Sequence, residues 1–156
     1  MAAKDGDGWI ECTCGSKHWG IHGAAGIALI RNGELFLQHR APWVHNGDSW
    51  GLPGGARDSH ESVTEAAIRE AIEETGINPE DLTALSTFSD DHGPWSYSTV
   101  IAIASDRLEG HELNAESHEV RWVAFDEVTR LALHPSFAKT WPALRREIEL
   151  VIERSM

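Results

Sequence analysis

The stretch Gly55–Ile77, GARDSHESVTEAAIREAIEETGI, decides how the rest of the chain is read. As one helix after a glycine turn, it places Glu70, Glu73 and Glu74 at i, i+3 and i+4, so three carboxylates leave one side within about one turn. Like charges at these spacings repel, and acids near a helix C-terminus oppose its dipole, each at a cost of roughly 0.2–1 kcal/mol. A local rule broken without local compensation marks a functional site. Mg²⁺ or Mn²⁺ would supply the compensation, because both take carboxylate, carbonyl and water oxygens.

The remainder of this stretch obeys helix rules. Ser62 with Glu65 three residues on forms a capping box. Gly76 is the left-handed stop, and Pro79 prevents continuation. Ile68, Ala71 and Ile72 form a narrow apolar stripe that predicts packing on a core opposite the glutamates, while Ala66 and Ala67 leave room on the carboxylate side.

The spacing Gly55, five residues, Glu61, seven residues, Arg69-Glu70-Ala71, one residue, Glu73-Glu74, one residue, Gly76-Ile77 resembles the complete Nudix box of the Nudix hydrolases. A chance match of fixed residue types at these spacings has a frequency on the order of one in a million for a chain of this length. A solvated acidic helix explains the charges, but not the flanking glycines and the arginine. The resemblance implies an α/β fold, an α/β/α sandwich with a mixed sheet. It further implies that Glu70, Glu73 and Glu74 hold Mg²⁺ or Mn²⁺, with the Gly54 carbonyl as a further ligand. Glu70, or Glu116 or Glu119 from a later loop, would take a proton from water, and Arg69 with Glu61 reads as an orienting ion pair.

Working outward, 156 residues suffice for one domain with a sizeable core and not for two comfortable ones. The expected organisation is an N-terminal extension over 1–21 and one domain over 22–156. Hydrophobic residues at 41% and charged residues at 24% describe a globular chain. There is no apolar run near 18 residues and no signal-peptide pattern in MAAKDGDG, so the expected setting is the cytoplasm, without membrane. A net charge of −12 repels nucleic acid over most of the surface, so an anionic substrate must be met by bound cations and a few local basic groups.

Upstream, Cys12, Cys14, His18 and His22 supply four ligand types suited to Zn²⁺. A single residue between the cysteines is poor spacing for a standard finger or ribbon, and the other reading is an irregular lead-in whose Trp9 and Trp19 cover the domain. Ala24–Ile30 is a continuous apolar run, hence a buried strand, and Asn32-Gly33 turns it into a partner strand over Glu34–Arg40. Arg40 and, in the loop after it, Trp43, His45 and Trp50 are candidates to meet a base or phosphate; the other reading is that the tryptophans pack the loop down.

Downstream, Leu82–Phe88 and Tyr97–Ala104 read as strands flanking a polar loop over Ser89–Ser96. Asp90, Asp91 and His92 in that loop are metal-capable types, although loop acids more often cap turns. A connection over Glu109–Glu119 leads to a strand over Val120–Phe125 and a helix start at Asp126. From Pro135, Trp141, Leu144, Ile148, Val151 and Ile152 recur at three- or four-residue steps and predict a closing amphipathic helix.

The resemblance implies hydrolysis of a small nucleotide, a nucleoside diphosphate linked to another moiety. A non-catalytic nucleotide-binding sensor of the same fold is the alternative from a different class, and an RNA-processing pyrophosphohydrolase conflicts with the acidic surface. The resemblance also allows a homodimer. It leaves the identity of the leaving group open, because loops rather than the box recognise it.

Overall fold

The computed structural model of the chain describes residues 5–12, 14–15, 17–43, 46–91, 93–111 and 117–155, without the side chains of 117 and 118. Its elements begin with a small hairpin, β1 (Trp9–Glu11) and β2 (Lys17–Trp19), followed by β3 (Ala24–Arg31), β4 (Glu34–Arg40), β5 (Trp50–Gly51) and β6 (Gly54–Ala56). Then come α1 (Val63–Thr75), β7 (Leu82–Asp91), β8 (Ser96–Ala104), β9 (Ser117–Ala124) and α2 (Pro135–Ser155).

The strand β3 is an unbroken apolar run because both of its faces are covered. Ala25, Ile27 and Leu29 face one side with Phe36, Val100, Ala102 and the α1 alanines. Ala28 and Ile30 face the other with Leu35, Leu37, Ile101 and the α2 residues Trp141, Leu144, Ile148 and Val151. The sheet is therefore sandwiched between α1 and α2, the expected α/β/α architecture. Burying an aliphatic side chain as fully as Ile27 or Leu144 stabilises by about 1.5–3 kcal/mol.

Seven described strands form one mixed sheet in the order β5-β4-β3-β8-β7, with β6 pairing β3 and β9 pairing β4. The pair β3/β8 is parallel and the others are antiparallel. Asn32 and Gly33, at φ 51° and 74°, make the tight β3–β4 turn that the Asn-Gly pair predicts. After two paired positions β4 leaves β3, and β6 takes its place against Ala24–Gly26. That exchange brings the glycine-rich segment beside α1.

The helix α1 has the caps read from sequence. Glu65 N–H donates to Ser62 Oγ at 3.1 Å, Ser62 N–H donates to Glu65 Oε1 at 3.0 Å, and Gly76 ends the helix at φ 69°. Its packing face differs from expectation. Ala66, Ala67 and Ala71 are the buried apolar residues, with Glu74 and Thr75 beside them, while Ile68 and Ile72 are only partly buried. Methyl-sized side chains let the helix axis come close to β3, so the glutamate-bearing side is pressed toward the sheet rather than turned away from it.

Four further boundaries differ. The lead-in forms an antiparallel hairpin, with Trp9 opposite Trp19. The segment read as a polar loop from Ser89 instead continues β7 to Asp91, because Ser89 and Ser98 join across the strands at 3.0 Å and Gly93 closes the turn at φ 89°. Likewise β9 starts at Ser117, drawn out by pairing with β4. The expected helix start at Asp126 is a 3₁₀ segment, Phe125–Arg130. No helix among the described residues is long and apolar enough to cross a membrane.

The N-terminal segment is tied to the domain. Gly6 N–H donates to Asp58 Oδ1 at 2.9 Å, Ser59 N–H to Asp5 Oδ1 at 2.7 Å, and Ile21 N–H to the Gly6 carbonyl at 2.8 Å.

Candidate active site

Two features of the chain converge where α1 meets β6. The helix presents Glu70 and Glu74 one turn apart, and the strand opposite has Gly55 where a side chain would collide with Glu70. A Cβ on Gly55 would lie 2.6 Å from Glu70 Cδ and 2.8 Å from both of its carboxylate oxygens. The Gly54 N–H points at Glu74 Oε1, 3.3 Å away. Glycine at 55 is thus required by the approach of the Glu70 carboxylate, and glycine at 54 by the Ala25 carbonyl and the Gly26 Cα, 2.5 and 2.7 Å from where its Cβ would stand.

The register of β6 fixes which way Gly54 points. Ile27 N–H donates to the Pro53 carbonyl at 3.0 Å, which makes 27/53 a hydrogen-bonded pair and 26/54 a non-hydrogen-bonded one. Both main-chain polar groups of Gly54 therefore face away from β3. Its carbonyl is aimed to the same side as the N–H that meets Glu74.

Glu74 is 8% exposed and accepts a 2.7 Å hydrogen bond from Gln38 Nε2. Burial pushes its carboxyl up to about 8, and the charge of Glu70 adds to the rise. The Gln38 bond, the Gly54 N–H and the charge of Arg40 oppose it without cancelling it. A buried carboxylate paired with a second carboxylate is the donor set that a hard divalent cation would neutralise, so the residues present fit such an ion.

Arg69 organises the flank. Its Nε and Nη2 reach the two oxygens of Glu61 at 2.6 and 2.8 Å, and Nη2 also donates to the Ala56 carbonyl at 3.1 Å. Its Nη1 donates to Glu70 Oε1 at 2.9 Å and lies 3.4 Å from Glu73. The bidentate bond to Arg69 holds the Glu61 carboxyl below the usual range, and Glu61 in turn holds the guanidinium protonated. The ion pair read from sequence thus also clamps the residue adjoining it on the helix.

Of the carboxylates singled out in sequence, Glu70 and Glu74 come together over Gly54 and Gly55. Glu73 lies beside them, but its side chain is 40% exposed and turned toward Arg69. Glu119 does not join the group. It sits opposite His39 in the β4/β9 pair, one residue out of phase with Gln38, and so points to the α2 side of the sheet, where its nearest cation is Arg121 at 3.4 Å. Glu116 lies outside the described residues, as do His45 and His92.

Trp50 is a packing residue, 7% exposed in the core under α2, whereas Trp43 is 67% exposed. Asp91 accepts from Gly93 N–H at 2.8 Å, the turn-capping role of a loop acid. The four zinc-type residues separate. Cys12, Cys14 and His18 bring their ligand atoms within 4.8 Å of one another, while His22 Nε2 lies 3.6 Å from Asp5 Oδ2.

Sequence reasoning missed three contributors. Gln38 is a lone amide after the apolar run Leu35–Leu37, and a buried amide needs a partner. Asp58, 3% exposed, joins the N-terminal strap to Arg69, whose Nη2 is 3.6 Å from Asp58 Oδ2. Tyr97 places its hydroxyl where a Cβ on Gly26 would collide, and a Cβ on Gly54 would stand 3.1 Å from it. Burial, and then the charge of Glu74, raise the Tyr97 phenol far above its usual range, so it stays neutral. A glycine inside a strand, as at Gly26, was the signal that something approaches closely.

Comparison with known proteins bears on the family and the fold. Residues 20–146 match the model of the NUDIX domain. A putative 8-oxo-dGTP diphosphatase 3 from Mycobacterium tuberculosis is 46% identical over 154 residues, covering 90% of this chain and 70% of that protein. A nucleoside triphosphate pyrophosphatase/Nudix hydrolase fusion protein from Bifidobacterium longum is 40% identical over 155 residues, 94% of this chain but 32% of the fusion. Among solved structures, a Nudix hydrolase from M. smegmatis, RenU, has a TM-score of 0.84 at 44% identity, covering 93% of this chain and 96% of that one.

Proposed function

The chain belongs to the NUDIX domain family, and on that premise we propose that it is a pyrophosphohydrolase of small nucleotides that works with Mg²⁺ or Mn²⁺. The observation that carries this reading is the buried Glu74 carboxyl, pushed up to about 8 beside Glu70 and above two glycines. A protein that only bound nucleotide would have little use for two carboxylates held in a cation-seeking arrangement, which argues against the non-catalytic sensor.

Glu70, Glu73, Glu74 and the Gly54 carbonyl would hold the divalent ions. When bound, such ions screen the diphosphate and stabilise the departing oxygen. In the hydrolysis, water adds to one phosphorus, the bridging P–O bond breaks, and the water's proton leaves to a carboxylate. Glu70 would accept it; the reading is supported by the orientation of its carboxylate, bonded by Arg69 Nη1 and packed against the Gly55 backbone. Glu119, on the other side of the sheet, has no part in it. Arg40, at the end of β4, brings positive charge toward Glu74 on the substrate side of a chain whose net charge is −12. That acidity also favours a free nucleotide over nucleic acid, in a cytoplasmic setting.

The names of the relatives direct the substrate choice to oxidised purine deoxynucleoside triphosphates. The test is a panel of these with unmodified triphosphates, nucleotide sugars and dinucleoside polyphosphates, assayed with Mg²⁺ and with Mn²⁺ for release of monophosphate and pyrophosphate. Divalent-dependent turnover, fastest on an oxidised purine triphosphate, is the expected result. Tight binding by calorimetry with no product from any compound would replace the hydrolase by a sensor.

A further inference from the structure

The N-terminal hairpin carries a second cluster of donors that the hydrolase reading does not use. Its tip is a tight turn, with Gly15 N–H donating to the Cys12 carbonyl at 3.1 Å and Gly15 at φ 92°. The turn folds Cys14 back, so that the Cys14 N–H lies 3.4 Å from Cys12 Sγ. Neither cysteine is in a disulfide.

The imidazole of His18 completes the group from β2. Its Nε2 is 3.1 Å from Cys14 Sγ, and its ring stacks on Trp95 at a centroid distance of 4.0 Å and 9° between planes. Trp95 is itself anchored by its indole N–H to the Trp19 carbonyl at 3.2 Å. The stack fixes the plane of the His18 ring with Nε2 toward the sulfurs.

The ligand atoms of Cys12, Cys14 and His18 all lie within 4.8 Å of one another. A tetrahedral Zn²⁺ with Zn–S near 2.3 Å and Zn–N near 2.0 Å needs ligand separations of about 3.5–3.8 Å. The atoms at the hairpin tip therefore reach that geometry by shifts on the order of an ångström. The short cysteine spacing that counted against a finger is offset by the turn, which puts both sulfurs on one side.

We propose that Cys12, Cys14 and His18 form a Zn²⁺ site at the tip of the N-terminal hairpin, separate from the carboxylate site, with solvent water as fourth ligand. His22 does not serve, being engaged with Asp5. Binding Zn²⁺ converts two thiols to thiolates and releases two protons to solvent, so it weakens as pH falls. Two sulfurs and one imidazole select a thiophilic ion here, whereas the carboxylates on α1 select a hard one.

The test uses the whole chain, purified without chelator and analysed for metals by mass spectrometry, with thiol titration before and after a strong chelator. Stoichiometric zinc is expected, together with two thiols that react slowly until the chelator is added. In Cys14→Ser the retained zinc should fall at least tenfold, with the far-UV dichroism unchanged because the tip is exposed. Substoichiometric zinc with both thiols immediately reactive overturns the proposal without recourse to any variant. So does copper in place of zinc, a Cys12–Cys14 disulfide found by non-reducing mass mapping, or zinc content unaffected by Cys14→Ser. These readouts are independent of nucleotide hydrolysis.

Discussion

Replacing Glu74 by glutamine tests the central feature of the site without emptying it. In the folded chain the carboxyl is pushed up to about 8 from 4.5. The unfolded chain thus loses this proton first, and folding stability falls as pH rises from 4.5 to about 8. At about 1.4 kcal/mol per pH unit the penalty is on the order of 3 kcal/mol at pH 7 and 5 above pH 8. Glutamine carries no such penalty, but its amide nitrogen must face either Gln38 Nε2 or the Gly54 N–H, both donors. That mismatch costs about 1–2 kcal/mol at every pH. In chelator, the variant should therefore be slightly less stable than the wild type below pH 4.5 and more stable by about 3 kcal/mol at pH 8. A domain of this size then shows a melting difference of about 6–12 °C. Added Mg²⁺ should reverse the order, because only the carboxylate gains from the cation, and turnover of the variant should drop on the order of a hundredfold. Scanning calorimetry between pH 4.5 and 8, with chelator and with Mg²⁺, makes the measurement. A variant no more stable than wild type at pH 8 in chelator, and equally stabilised by Mg²⁺, would refute the assignment.

Gly55→Ala should lower turnover by ten- to a hundredfold while folding survives, because the new Cβ, 2.6 Å from Glu70 Cδ, displaces that carboxylate by about an ångström; steady-state kinetics beside a melt separates the two effects. Arg69→Ala should destabilise by about 3 kcal/mol in urea titrations, since it leaves the buried Glu61 without its fork, and Arg69→Lys should restore only part of this because lysine cannot bond both oxygens in plane. Glu119→Gln should keep turnover within about twofold of wild type, the expectation for a partly exposed residue on the other side of the sheet; a hundredfold loss would restore it as the proton acceptor.

What the sequence made legible follows from how local each signal is. Caps, the Asn32-Gly33 turn and the apolar run of β3 depend on residues within a few positions, and they stand where the pattern put them. The direction in which α1 packs is not local. Ile68 and Ile72 look like the better core face by hydrophobicity, but the helix packs through Ala66, Ala67 and Ala71, because β3 offers only the methyl of Ala25 there and rewards close approach over bulk. The same holds for the candidate site. Spacing alone grouped Glu70, Glu73 and Glu74, yet that Glu73 is the most exposed of them and shares Arg69 Nη1 with Glu70 depends on Arg69 reaching between Glu61 and Glu70. Nor does one residue announce that Glu119 faces away: that depends on the register of β9 against β4.

The alanine face and the cation-seeking carboxylate are two consequences of one packing choice. Had α1 rested on Ile68 and Ile72, its axis would stand further from β3, and Glu74 would reach solvent with an ordinary titration. Small residues on the helix, with Ala25 on β3 and Gly55 on β6 facing it, bring the Glu74 carboxyl to within 2.7 Å of Gln38 and against the Gly54 backbone, where burial is what raises its proton affinity. The stability lost above pH 4.5 is the counterpart of an enhanced response to a divalent ion, because the ion removes the penalty as it binds. Enlarging the contact should therefore weaken both together. Ala67→Val, which adds two methyl groups to a fully buried position, should spread α1 from β3, lower the pH at which Glu74 titrates, and reduce the Mg²⁺-induced rise in melting temperature. If the Mg²⁺ response stayed at the wild-type value while the Glu74 titration moved down, burial and cation affinity would be independent properties of the site.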